Sequence, residues 1–294
     1  MRAAVLGSPI GHSLSPALHR AAYQELGLAG WSYEAIECDA ARLPGLLAGC
    51  GPDWAGLSLT MPLKRAVLPL LDRTEPLAAE VGAANTVVFS GGRRHGYNTD
   101  VPGMLAALAE AGLGPARAGG PAPEAVRADT GGPGTVLILG GGATACSALA
   151  AVRHLGALEA TVAVRDPARA ADLLTVASRL PMRVRLAEFD EPGICDPGLL
   201  ISTVPADTAS RHAERLSRRA LRPRLVLDVV YHPWPTALAA AAREAGVVVV
   251  GGFALLLHQA VGQFTLMTGK PAPLEAMRAA GLAALAAAAA HGGG

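Results

Sequence analysis

The chain is 294 residues long, enough for two domains with a core in each. It carries 25 basic and 24 acidic residues, a formal net charge of +1, and so offers no electrostatic case for a nucleic-acid or anionic-membrane partner. No stretch approaches the roughly 18 continuous apolar residues of a membrane span. The cysteines, Cys38, Cys50, Cys146 and Cys195, form no C-x-x-C pair and have no histidine at ligand spacing, so no metal is expected.

The N-terminal "AAVL" is too short for a signal-peptide core, which together with the reduced cysteines leads to a cytoplasmic expectation. "RAAVLG" is a short apolar strand, and Ser15-Pro16 then opens a helix reaching about residue 27, with serine as cap and proline at the first position. "WSYEAIEC" alternates as a strand does, "AARLPGLLAG" resembles a helix, and "AGLSLTM" and "NTVVFS" are further strands. Strands alternating with helices imply a mostly parallel sheet with covered faces. The stretch 114–134 is rich in Gly, Pro and Ala without periodicity, and reads as a surface loop at a domain boundary.

After that loop "TVLILGGGATACSALAAVRHLGA" supplies a buried strand, a glycine turn and a helix. "TVAV", "RVRLAE", "LLISTV", "LVLDVV" and "VVVVGG" follow at intervals that leave room for crossover helices, a six-strand doubly wound pattern. The dense basic stretch 211–224 reads as a solvated helix face and exit turn, and the chain is helical again from Leu255, ending in the alanine-rich run 282–290.

"LGGGATA" is a G-x-G-x-x-A turn between a strand and a helix. Gly140 permits the tight turn, Gly142 lets the backbone approach a pyrophosphate, and Ala145 stands where a third glycine would allow close helix packing. The neighbouring Gly141, Ala143 and Thr144 complete the loop, and the helix N-terminus offers N–H groups to phosphates. The second strand ends in "RDPARAADL". Asp166 suits the ribose hydroxyls of NAD but also suits a helix cap before Pro167, whereas Arg165 and Arg169 suit the 2′-phosphate of NADP. NADP is the expected cofactor.

Four N-terminal segments, "GSPIGHSLSPALH", "SLTMPLK", "GAANT" and "NTD", closely resemble the signature segments of shikimate dehydrogenases. "DVVYHPWPTALAAAAREAG" and "GGFALLLHQAVGQF" resemble that family's closing segment, so the resemblance runs over about residues 3–269. It implies an α/β substrate domain from residues 1–103 and 253–294, a Rossmann NADP domain from 104–252, and C-terminal helices that return to the first domain. It implies that Ser13 and Ser15 hold the substrate carboxylate and that Thr60, Asn85 and Gln259 bind ring hydroxyls. Tyr231 would line the pocket, Lys64 and Asp100 would form the catalytic pair, and Thr203, Val204 and Gly252 would join the cofactor contacts. Bland readings stand beside these: Ser15 as a helix cap, Asn85 and Asn98 as turn residues, Gln259 as a surface residue.

The chain departs from the family pattern in places. Val164-Arg165-Asp166 stands for Asn-Arg-Thr, Gly252-Phe253-Ala254-Leu255 for Gly-Leu-Gly-Met, and Ala143-Thr144 for Gly-Ala in the phosphate loop. The implied activity is reversible reduction of 3-dehydroshikimate to shikimate in the chorismate route to aromatic amino acids. The alternatives are a sister enzyme acting on quinate or an aminated analogue, and a catalytically silent metabolite sensor. The expected partner is a small-molecule substrate, and the expected assembly a monomer or homodimer.

Position 64 is informative in itself. Only Lys64 and Lys270 are lysines among the 25 basic residues. Reducing a ketone places negative charge on its oxygen, and arginine holds its proton too tightly to act as a general acid, which a lysine can do.

Overall fold

The computed structural model describes residues 1–114, 132–191 and 194–291, the side chains of Arg169 and His291 excepted. Most of the 114–134 loop therefore lies outside the described residues. Two compact units divide the chain: Met1–Gly103 with the chain from Leu256 onward, and Met104–Leu255.

In chain order the first part comprises β1 (Arg2–Gly7), α1 (Ser15–Glu25), β2 (Ser32–Glu37), α2 (Leu43–Ala48), β3 (Trp54–Leu59) and α3 (Leu63–Ala66). Then come β4 (Arg73–Thr74), α4 (Pro76–Val81), β5 (Thr86–Ser90), β6 (Arg93–Tyr97) and α5 (Asp100–Glu110). The next elements are β7 (Val136–Leu139), α6 (Ala143–His154), β8 (Glu159–Val164), α7 (Ala171–Arg179), β9 (Arg183–Glu188) and β10 (Leu199–Ser202). The chain closes with α8 (Ser210–Ser217), β11 (Leu225–Asp228), α9 (Ala237–Glu244), β12 (Val248–Gly251), α10 (Gly252–Thr268) and α11 (Leu274–His291). Both crossings between units fall inside helices, α5 and α10.

The first unit holds a six-stranded sheet in the order β2-β1-β3-β5-β6-β4. Its central strand β3 is buried along its whole length, as expected for a strand covered on both faces. The sheet is mostly parallel with one antiparallel strand: β1 pairs in parallel with β2 and β3, and β4 with β6, whereas β5 runs antiparallel to both β3 and β6. The reason is a hairpin. Gly91 and Gly92 have φ values of 58 and 71°, and these two residues with positive φ join β5 to β6 in the tightest kind of turn. Leu6, Leu43, Leu57, Leu63 and Val87 lie in one apolar cluster of this unit.

Ser15 is corrected in one respect. It is the first helical residue of α1 rather than its cap, and its own N–H donates to Ser13 Oγ at 3.4 Å. The cap position falls to Leu14, whose side chain offers no oxygen, and Pro16 stands at the second helical position rather than the first.

The second unit holds an all-parallel sheet in the order β12-β11-β10-β7-β8-β9. This is the doubly wound order, with its reversal between β7 and β10. Strands β7, β10 and β11 are wholly buried, whereas the edge strand β9 alternates exposed and covered positions. Helices α6 and α7 pack together, as do α8 and α9. Among the described residues no helix is long and apolar enough to cross a membrane.

Candidate active site

In the first unit the site is built where strand ends meet. β3 ends at Leu59, Thr60 follows, and α3 begins at Leu63, so Lys64 lies in the first turn of a short helix. The Lys64 carbonyl accepts from Ala84 N–H at 2.8 Å, which ties this turn to the approach of β5. Because β5 and β6 are antiparallel, the residue before β5 stands beside the residues after β6, and Asn85 N–H donates to the Tyr97 carbonyl at 3.0 Å. The hairpin thereby brings Asn85 to Thr99 and Asp100.

Lys64 Nζ donates to Asp100 Oδ2 at 2.6 Å. The lysine side chain is 15% exposed and the aspartate 6%, so the pair is largely withdrawn from water while the ammonium keeps some access. Asn85 Nδ2 donates to the other carboxylate oxygen, Asp100 Oδ1, at 2.9 Å. The same amide nitrogen lies 2.9 Å from Thr99 Oγ1 and 3.4 Å from Gln259 Oε1, while Asn85 Oδ1 accepts from Thr99 N–H at 2.8 Å. Asn85 is only 1% exposed. Its amide nitrogen is within hydrogen-bond distance of Asp100, Thr99 and Gln259.

Gln259 is buried rather than a surface residue, and its Nε2 donates to the Leu256 carbonyl at 2.8 Å. It reaches Asn85 because α5 and α10 approach closely: a Cβ on Gly103 would stand 2.9 Å from Gln259 N. Asn98 stabilises its turn as the bland reading had it, Oδ1 accepting from Val101 N–H at 3.1 Å and Nδ2 donating to the Ala83 carbonyl at 3.0 Å. Ser13 and Thr60 are half-buried and Ser15 is buried. Sequence reasoning missed Tyr33, Ser58, Thr99 and Gln263, which lie behind these groups. Ser58 was visible as the one hydroxyl within the apolar run "AGLSL", and Gln263 as the residue one helical turn beyond Gln259.

In the second unit Gly140 takes φ +108°, and a Cβ there would stand 2.6 Å from Thr203 Oγ1, so only glycine fits. Thr203 Oγ1 donates to the Leu139 carbonyl at 2.8 Å, joining the ends of β7 and β10 at the topological reversal. A Cβ on Gly142 would meet no atom within 4 Å, so the approach to the N-terminus of α6 is open. Ala145 is fully buried, as its packing role requires.

Asp166 Oδ1 accepts from Ala168 N–H at 3.0 Å, capping the short helical turn Pro167–Ala170. Arg165 is exposed, and the side chain of Arg169 lies outside what the structure describes. Tyr231 lies between β11 and α9, and burial pushes its phenol upward. No group of three or more His, Cys, Asp or Glu among the described residues could hold a metal ion.

Residues 5–87 match the model of the shikimate dehydrogenase substrate binding domain, and residues 252–280 that of the shikimate 5′-dehydrogenase C-terminal domain. The NADP(+) shikimate dehydrogenase of Symbiobacterium thermophilum is 35% identical over 96% of this chain and 93% of its own. The chain belongs to the shikimate dehydrogenase family. Among solved members of that family, the Mycobacterium tuberculosis shikimate dehydrogenase matches with a TM-score of 0.81 and 40% identity, over 96% of this chain and 99% of its own. The Thermus thermophilus shikimate 5-dehydrogenase, solved with NADP(H) and shikimate, matches with a TM-score of 0.76 and 32% identity, over 97% of this chain and 99% of its own.

Proposed function

We propose that this protein is an NADP-dependent shikimate dehydrogenase that interconverts 3-dehydroshikimate and shikimate. The observation that carries the proposal is the withdrawn Lys64–Asp100 pair, gripped by Asn85 on the oxygen that Lys64 does not use. A silent relative would have no need to keep such a pair, and the Symbiobacterium and Mycobacterium relatives, at 35% and 40% identity, are named shikimate dehydrogenases.

The first unit supplies the substrate groups. Ser13 and Ser15 offer hydroxyl donors to a carboxylate, and Thr60 and Gln259 offer neutral partners to ring hydroxyls, which suits a small polyhydroxy acid. Lys64 gives a proton to the ketone oxygen as the carbonyl carbon is reduced, and takes it back in the reverse direction. Asp100 holds the ammonium in place and balances its charge.

The second unit supplies the nucleotide groups. NADPH provides the hydride when bound. Gly140, Gly141, Gly142, Ala143 and Thr144 would receive its pyrophosphate at the N-terminus of α6, and the open approach at Gly142 fits that role. Thr203, Val204 and Gly252 would flank it, with Arg165 and Arg169 toward the 2′-phosphate. With Asp166 engaged as a cap, the arginines are the groups left for nucleotide selection. The test is spectrophotometric: shikimate, quinate and an aminated analogue, each with NADP and with NAD. Shikimate with NADP is the expected best combination, and a clear preference for another substrate or for NAD overturns the assignment.

A further inference from the structure

A single chain of buried side chains runs beneath the site in the first unit. Tyr33 OH donates to Ser58 Oγ at 2.6 Å, and Ser58 Oγ donates to Gln263 Oε1 at 2.8 Å. Gln263 Nε2 then donates to the backbone carbonyl of Asn85 at 3.1 Å. We propose that Gln263, together with Ser58, is a positioning residue for the catalytic pair, fixing Asn85 so that Asn85 fixes Asp100. This inference rests on the shikimate dehydrogenase reading.

The direction of every bond in the chain is forced. The Asn85 carbonyl can only accept, so the amide of Gln263 must turn its nitrogen there and its oxygen to Ser58. Ser58 must therefore give its one proton to Gln263 and accept from Tyr33. The Asn85 carbonyl also accepts from Leu59 N–H at 2.7 Å, so it is pinned from β3 and from α10 at once. Its side chain, thus anchored, reaches Asp100 Oδ1.

Burial explains why these groups matter beyond packing. Ser58 is 3% exposed and Gln263 1%. An apolar pair would fill that volume without the cost of desolvating an amide and a hydroxyl, whereas a polar pair adds directionality.

The titratable groups facing this network are Lys64 on α3, Asp100 on α5, His19 on α1 and Tyr33 on β2, with Tyr23 of α1 beside His19 and raised by burial. His19 stacks on Tyr33 with ring centroids 4.0 Å apart, and burial lowers it to about 3 while burial raises Tyr33 far above neutrality. Both stay uncharged across the working range.

The experiment compares the wild type with Gln263→Met, Ser58→Ala and the double variant, measuring kcat, both KM values, the pH profile and thermal unfolding. Gln263→Met is expected to lower kcat roughly tenfold to a hundredfold, as a small misplacement of a catalytic group does, with KM for NADP unchanged. The acidic limb of kcat/KM is expected to move to higher pH, because an Asn85 amide displaced from Asp100 Oδ1 stabilises the charged carboxylate less well. Ser58→Ala should show the same pattern more weakly, and the double variant should be no worse than Gln263→Met, since one chain is broken once.

A folded Gln263→Met enzyme with wild-type kcat and an unmoved acidic limb overturns the inference, whatever its unfolding temperature. Should Gln263→Met fail to fold, Ser58→Ala decides by the same two readings. A wild type that does not oxidise shikimate with NADP overturns the functional reading and the inference together. An active wild type with unaffected variants overturns the inference alone.

Discussion

Lys64 Nζ and Asn85 Nδ2 donate to opposite oxygens of Asp100, at 2.6 and 2.9 Å. With both oxygens engaged the carboxylate is held against rotation, and two of the three ammonium protons of Lys64 remain for other acceptors. Asp100→Asn preserves this volume and removes the charge. It is expected to lower kcat by roughly 10²–10⁴-fold with a much smaller change in KM for shikimate. Near wild-type turnover would reduce the pair to an ordinary ion pair joining two segments.

Substrate affinity is expected to depend on Ser13 and Ser15. A charge-assisted hydrogen bond contributes on the order of 1.5–3 kcal/mol, so Ser13→Ala should raise KM for shikimate roughly tenfold or more. KM for NADP should not change. A Ser13→Ala, Ser15→Ala enzyme with unaltered shikimate affinity contradicts the assignment.

Cofactor selection is expected to rest on Arg165 and Arg169. Asp166 already serves as a cap, whereas a guanidinium can bind a phosphate through two parallel bonds. Replacing both arginines with alanine should raise KM for NADP and leave that for NAD nearly unchanged. An equal rise for both cofactors would show that the arginines do not read the 2′-phosphate.

Stability of the second unit is expected to depend on Thr236. Its hydroxyl donates to Asp228 Oδ2 at 2.6 Å and accepts from Ala239 N–H at 3.0 Å at the start of α9. Thr236→Val should cost about 1–3 kcal/mol in urea unfolding. Burial raises the Asp228 carboxyl, so that group favours folding below its unfolded value and loses this contribution as pH rises through the raised one. The Thr236 hydroxyl opposes the rise by bonding the ionised form. The deficit of Thr236→Val should therefore be larger at about pH 7 than at about pH 4. Equal deficits would mean that the hydroxyl acts only as a helix cap.

The second unit was the more legible in the sequence. Strands such as "VLIL" and "LLIS" are continuous apolar runs, and "LGGGATA" marks its turn chemically. In the first unit the hairpin of β5 and β6 was missed although "SGGRR" carries its turn, because Arg93 and Arg94 obscure the alternation of an edge-ward strand. Lys64 and Asp100 stood out by residue type and family motif. That Asn85 bonds Asp100 was not legible, since it depends on antiparallel register between segments 15 residues apart. Ser58 and Gln263, 205 residues apart, meet only once α10 lies on the sheet.

The most direct measurement is the turnover of Lys64→Arg with shikimate and NADP. Arginine keeps the positive charge beside Asp100 but does not release its proton near neutral pH. If position 64 donates and recovers a proton, this variant should bind shikimate comparably to the wild type while kcat falls by roughly 10²–10⁴-fold, close to the value for Lys64→Ala. If Lys64→Arg runs near wild-type speed, position 64 needs only a positive charge, and proton transfer by Lys64 is wrong.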